Sequence, residues 1–95
     1  MILDCSDKYG NAGCNGGFAT NAYNFVKDHG IATEQEYPYK DSQRSCSMEK
    51  GNFKISGHIE AKTCVSLANA LQGRPISVAV DATTWGSYIA GIFSG

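Results

Sequence analysis

Four cysteines and two histidines are the residues of this 95-residue sequence with the chemistry to react, ligate or cross-link: Cys5, Cys14, Cys46, Cys64, His29 and His58. A cysteine acts as a nucleophile when a nearby histidine stabilises its thiolate and a third group orients that histidine. It ligates zinc most often from a tight knuckle shared with a second cysteine. It staples a fold when its partner lies far along the chain in an oxidising compartment. The spacings favour the staple. No C-x-x-C occurs and neither histidine neighbours a cysteine in sequence. An even count at wide, irregular intervals reads as disulfide chemistry, so neither a metal nor a cofactor is expected.

Cys14 stands inside "GNAGCNGGFATNAYNF", residues 10–25, where Gly10, Gly13, Gly16 and Gly17 precede a helix-like run. A phosphate cradle would need G-x-x-x-x-G-K-[ST] or G-x-G-x-x-G, and neither spacing is present. From composition alone these glycines serve tight turns.

The elements that must hold these residues follow from periodicity. Phe18, Ala22, Phe25 and Val26 fall at i, i+4, i+7 and i+8, predicting a helix over about 17–29. Asn15 or Gly16 is its expected start, and Gly30 its left-handed end. Residues 31–53 have no sustained period, and "YPYKDSQRSCS" reads as a long loop that needs an anchor. A short extended segment is expected at about 53–60. "TCVSLANALQG" predicts a short helix ending near Gly73. In "RPISVAVDA", Ile76, Val78 and Val80 alternate with Ser77, Ala79 and Asp81, a strand pattern with one β-branched face and one small face.

Composition limits the function classes. With 42% hydrophobic and 18% charged residues, the chain reads as globular rather than disordered. A net charge of −1 lacks the footprint of a nucleic-acid binder. No apolar run approaches the roughly 20 residues that span a bilayer, so no membrane partner is expected. A chain this short buries only about two-thirds of its unfolded surface, which gives a covalent staple unusual weight. Met1 runs directly into Ile2, Leu3, Asp4 and Cys5, which reads like the interior of a domain, so either translation starts here unusually or the chain is cut from something longer. Nothing in the sequence speaks to oligomeric state.

The ordered string "LDCS", "GCNGG", "GIATEQEYPYK", a lone cysteine, "RPISVAVDA" and "YIAGIF" resembles the central part of the papain-like cysteine peptidases, cathepsin L-like members above all. It covers essentially the whole chain, and "GCNGG" and "YPY" are its most specific pieces. The resemblance implies an α+β, partial papain-like fold, with residues 1–56 in the helical lobe and 57–95 opening the β-barrel lobe. It implies a Cys5–Cys46 disulfide, which would anchor the aperiodic loop. Closing roughly forty residues is worth about 4 kcal/mol in the chain-entropy account. It leaves Cys14 without its family partner and gives Cys64 no counterpart; Cys64 is expected as a buried free thiol.

The resemblance also implies an extended peptide or protein substrate. Gly17 would offer backbone N–H and C=O groups to that substrate, as an added strand does, while Asn15 and Gly16 line the adjacent wall. A Cβ at the approach point would hold the substrate off. Phe18, Ala19 and Ala79 match the walls of the main specificity pocket, which implies a hydrophobic or aromatic substrate side chain. No catalytic residue can be assigned: the family's nucleophile sits in C-G-x-C-W, and no cysteine here precedes tryptophan. Its histidine and asparagine lie beyond "GIF". The chain alone is therefore expected to be inactive, and a lysosomal or secreted location is inherited from the family. Two other classes fit the same residues: a non-catalytic peptide-binding module, and a small disulfide-stapled structural or inhibitory protein.

Overall fold

In the computed structural model, which describes residues 1–94, the chain packs as two units, Met1–Ala61 and Lys62 onward. The first unit is built on α1 (Ile2–Cys5) and α2 (Ala19–His29), joined through single 3-10 turns at Asp7–Tyr9 and Gly13–Asn15. Periodicity locates α2 and its buried face. Phe25 is 2% exposed and Val26 is buried beside it. Tyr9 meets Phe25 edge-on at 5.6 Å, and the His29 ring stacks on Phe25 at 5.0 Å. The Tyr9 hydroxyl donates to Asp28 Oδ2 at 2.6 Å, and the carboxylate raises the phenol above its ordinary range. Lys27 and His29 in the last turn face the negative end of the helix dipole.

The two ends of α2 differ from expectation. The N-cap is Phe18, not Asn15 or Gly16, and no side chain caps it. Phe18 leaves the apolar face and is 73% exposed. The cause lies upstream: the Phe18 N–H donates to Asn11 Oδ1 at 3.0 Å, which holds the chain extended there. At the other end Gly30 has φ 77°, but its ψ of 175° sends the chain outward instead of curling it. That exit serves a close crossing of two backbones. Ile31 and Phe53 form an antiparallel bridge, and the Gly51 N–H donates to the His29 carbonyl at 2.9 Å. A Cβ at Gly30 would overlap the Gly51 carbonyl, and one at Gly51 would overlap Ile31. Both positions need glycine for that reason.

The excursion between these crossing points is tied to α1. Cys5 and Cys46 form a disulfide, the pairing the resemblance implies. Polar ties flank it. Tyr37 donates its hydroxyl proton to Asp4 Oδ2 at 2.8 Å, the Arg44 N–H donates to Asp4 Oδ1 at 2.9 Å, and the Ser47 N–H donates to the Tyr37 hydroxyl at 3.2 Å. The Arg44 N–H, more than any other group, holds the Asp4 carboxyl below its ordinary 3.8; desolvation opposes this and the Tyr37 hydroxyl adds to it. Within the loop, Thr33 and Glu36 exchange side-chain to backbone hydrogen bonds of 3.1 and 3.2 Å.

In the second unit, α3 (Cys64–Leu71) starts at a capping box. Ser66 N–H donates to Thr63 Oγ1, and Thr63 N–H donates to Ser66 Oγ, both at 3.1 Å. No described residue of this unit is buried. Cys64 is exposed, contrary to the buried thiol expected: it is the first residue of a two-turn helix that buries none of its residues. The alternating run at 76–80 joins no ladder among the described residues, and Val78 and Val80 are each 59% exposed. Alternation marks two faces; a strand also needs a neighbour for its backbone groups. The segment at 53–60 likewise begins with the Phe53 bridge and forms no further β-bridge among the described residues. Further along, Trp85 and Tyr88 each meet Phe93 edge-on, and the Tyr88 hydroxyl donates to the Gly91 carbonyl.

Candidate functional site

The first unit gathers five of the six residues expected to line a substrate site. Asn15 ends the 3-10 turn, Gly16 and Gly17 carry the chain outward, and Phe18 and Ala19 start α2. All five are exposed. Gly16, Gly17, Phe18 and Ala19 line one concavity of about 380 Å³, with Ile2, Leu3 and Ala22 supplying apolar floor. Ala79 belongs to the second unit, where it is exposed.

The turn before the wall is set by backbone hydrogen bonds. Asn15 N–H donates to Ala12, Gly16 N–H to Gly13, and Ala12 N–H to the Gly16 carbonyl at 2.8 Å. Gly16 then takes φ 114°, ψ −176°, which releases the chain from the turn. Among the described residues, Gly17 makes no hydrogen bond through either its N–H or its carbonyl. An exposed, unengaged donor–acceptor pair of this kind is what a peptide in strand conformation can pair with.

Glycine at 17 has a packing role that the sequence does not display. A Cβ built there would run into the Asn11 side-chain amide. The vacant side of Gly17 is filled by the protein itself. Asn11 connects inward as well: its Nδ2 donates to Ser6 Oγ at 2.9 Å, and Ser6 Oγ donates to the Ile2 carbonyl at 2.7 Å. Ser6 is 1% exposed. Neither residue stands out in the sequence beyond the tendency of asparagine to bond backbone groups in turns.

No cysteine or histidine lines this concavity. Cys14 and Cys64 are exposed free thiols, and Cys5 and Cys46 are consumed in the disulfide. His29 packs against Phe25 and Tyr9, and His58 lies 5.6 Å from the Tyr23 ring. Among the described residues, no group of three His, Cys, Asp or Glu side chains could hold a metal ion.

Comparison with known proteins identifies the family. The family model for papain family cysteine proteases matches residues 1–95. Cathepsin L 2 and cathepsin L 1 of Paramecium tetraurelia are 40% and 38% identical over 95 residues, covering 98% of this chain and 30% of each relative. The solved digestive procathepsin L 3 of the Tenebrio molitor larval midgut superposes with a TM-score of 0.65 at 35% identity, covering 74% of this chain and 24% of that one. The chain thus spans about 30% of the length of the cathepsin L relatives it matches. Helices with a single β-bridge among the described residues fit part of a papain-like fold. The chain belongs to the papain family of cysteine proteases.

Proposed function

We propose that these residues form part of the substrate cleft of a cysteine endopeptidase, and that they do not include its nucleophile, general base or orienting asparagine. The observation that carries this reading is Gly17: exposed, and without a hydrogen bond of its own among the described residues. Its N–H and carbonyl would take up the backbone of an extended peptide, with Asn15 and Gly16 alongside. Phe18 and Ala19 at the rim of the concavity would receive a hydrophobic or aromatic substrate side chain. Ala79 is assigned to the same specificity by family resemblance alone.

Binding is one part of peptidase chemistry; the other is a thiolate poised beside an imidazole. Both histidines pack on aromatic rings and both free thiols are solvent-exposed, which supports the absence of a dyad from this chain. By the same reading residues 1–56 belong to the helical lobe and 57–95 open the barrel lobe. A lysosomal or secreted setting is supported by the disulfide and by relatives named as digestive enzymes.

The test is a titration of the 95-residue chain with a capped tetrapeptide carrying phenylalanine at its third position, followed by amide NMR. Shifts concentrated at residues 15–19, with the peptide recovered intact, are the expected result. Unperturbed amides there would remove the binding reading, and cysteine-dependent cleavage of the peptide would overturn the claim of inactivity.

A further inference from the structure

We infer that Asn11 is a positioning residue for substrate, holding the backbone of residues 16–18 open through a relay that begins at buried Ser6; the inference rests on the reading of Gly17 as the substrate-backbone contact. Three observations converge on Asn11. Its Oδ1 accepts the Phe18 N–H at 3.0 Å, so the residue after the contact is fixed in the extended geometry that starts α2. Its side-chain amide occupies the space on the Cβ side of Gly17, so the peptide unit cannot roll in that direction. Its Nδ2 donates to Ser6 Oγ at 2.9 Å, and that hydroxyl is held in turn by the Ile2 carbonyl of α1. The wall is thereby tied to the best-buried polar side chain of the unit, not to a surface group.

The physical consequence concerns preorganisation. A short backbone segment that must meet a peptide with two hydrogen bonds loses affinity if it first has to be ordered. Without the relay, Gly16 and Gly17 regain the freedom that two consecutive glycines have. Asn11 and Ser6 also line the concavity; the role assigned to Asn11 is exercised through the conformation of Gly17 and Phe18.

Two substitutions separate the parts. Asn11→Leu keeps the bulk beside Gly17 and removes both hydrogen bonds. Asn11→Asp keeps an acceptor for the Phe18 N–H, adds a charge favoured at a helix start, and keeps the tie to Ser6 with its direction reversed, the Ser6 hydroxyl donating to the carboxylate. With the same capped tetrapeptide and amide NMR, Asn11→Leu is expected to weaken binding about tenfold, the loss of roughly one to two hydrogen bonds of preorganisation. Asn11→Asp is expected to stay within about threefold of the parent. Phe18 amide exchange should accelerate in Asn11→Leu only, while Phe25 and Val26 keep their protection. If Asn11→Leu also exposes Phe25, Ser6→Ala decides, since it frees only the far end of the relay; weakened peptide binding with Phe25 still protected is then expected. Binding unchanged in Asn11→Leu, or in Ser6→Ala where that variant decides, would overturn the role of Asn11 and leave the Gly17 reading intact. Absence of binding to the parent chain itself would remove both.

Discussion

The two units of this chain are held by different kinds of contact. In the first, the ties reach across the sequence: Cys5 to Cys46, Asp4 to Tyr37 and Arg44, Tyr9 to Asp28, His29 to Gly51. They surround a small buried centre at Phe25, Val26 and Ser6. In the second, the hydrogen bonds of Thr63, Ser66, Thr83 and Tyr88 stay within a turn of their own residue, and no described residue is buried. Ile89 and Ile92 are more than nine-tenths exposed. Long-range ties set an architecture that the chain must find as a whole. Local ties form quickly and stabilise little beyond themselves.

The largest effect should come from the disulfide. Replacing Cys5 and Cys46 together by serine is expected to cost the first unit about 4 kcal/mol, read by hydrogen exchange at Phe25 and Val26. A loss below about 1 kcal/mol would mean that the polar ties at Asp4 and Tyr37 close the loop without help. Next comes Phe25→Ala, expected to destabilise the same amides by about 3 kcal/mol. Its counterpart Val65→Ala in the second unit, at a 72% exposed position, should stay within about 0.5 kcal/mol. Equal losses at the two sites would erase the contrast between the units.

Smaller effects sharpen it. Tyr37→Phe removes one hydroxyl from the ties around the disulfide, and about 1 kcal/mol is expected from the first unit. Asp4 makes the same region sensitive to acid. Its carboxyl lies below 3.8 in the folded chain, so the stabilisation is complete above that value and disappears as pH falls through the folded value. Loop amides at 37–47 should therefore keep their protection at pH 5 and lose it only in stronger acid. Asp4→Asn should flatten that dependence; a midpoint above the ordinary carboxylate range would contradict the assignment. Thr63→Ala, which removes one side of the capping box, is expected to cost α3 about 1 kcal/mol or less and to leave Phe25 protection unchanged.

The contrast also explains what could be read from the sequence. Periodicity located the 25–26 core face of α2, and "TCVSLANALQG" marked α3, because both signals lie within a dozen residues of themselves. The ends of α2 were less legible. Phe18 fits the apolar spacing, but a hydrogen bond from seven residues upstream keeps it outside the helix. The run at 76–80 shows a face pattern, and pattern alone carries no information about a pairing partner. Asp4, Asn11, Tyr37 and Gly51 had no period to betray them, since each acts on a residue distant in sequence. The family resemblance supplied the Cys5–Cys46 pairing; it said nothing of the carboxylate and phenol beside it.

The crossing at Gly30 and Gly51 has one further consequence, for engineering. Because Ile31 and Phe53 pair where the backbones touch, the residues between them leave and re-enter the fold at one point. Such a segment is a natural port for inserted sequence, since lengthening a closed loop costs only about 0.6 kcal/mol per doubling. The exposed tip at Lys40, Asp41 and Ser42, where Asp41 already adopts φ 60°, is the place to graft an epitope or a tag.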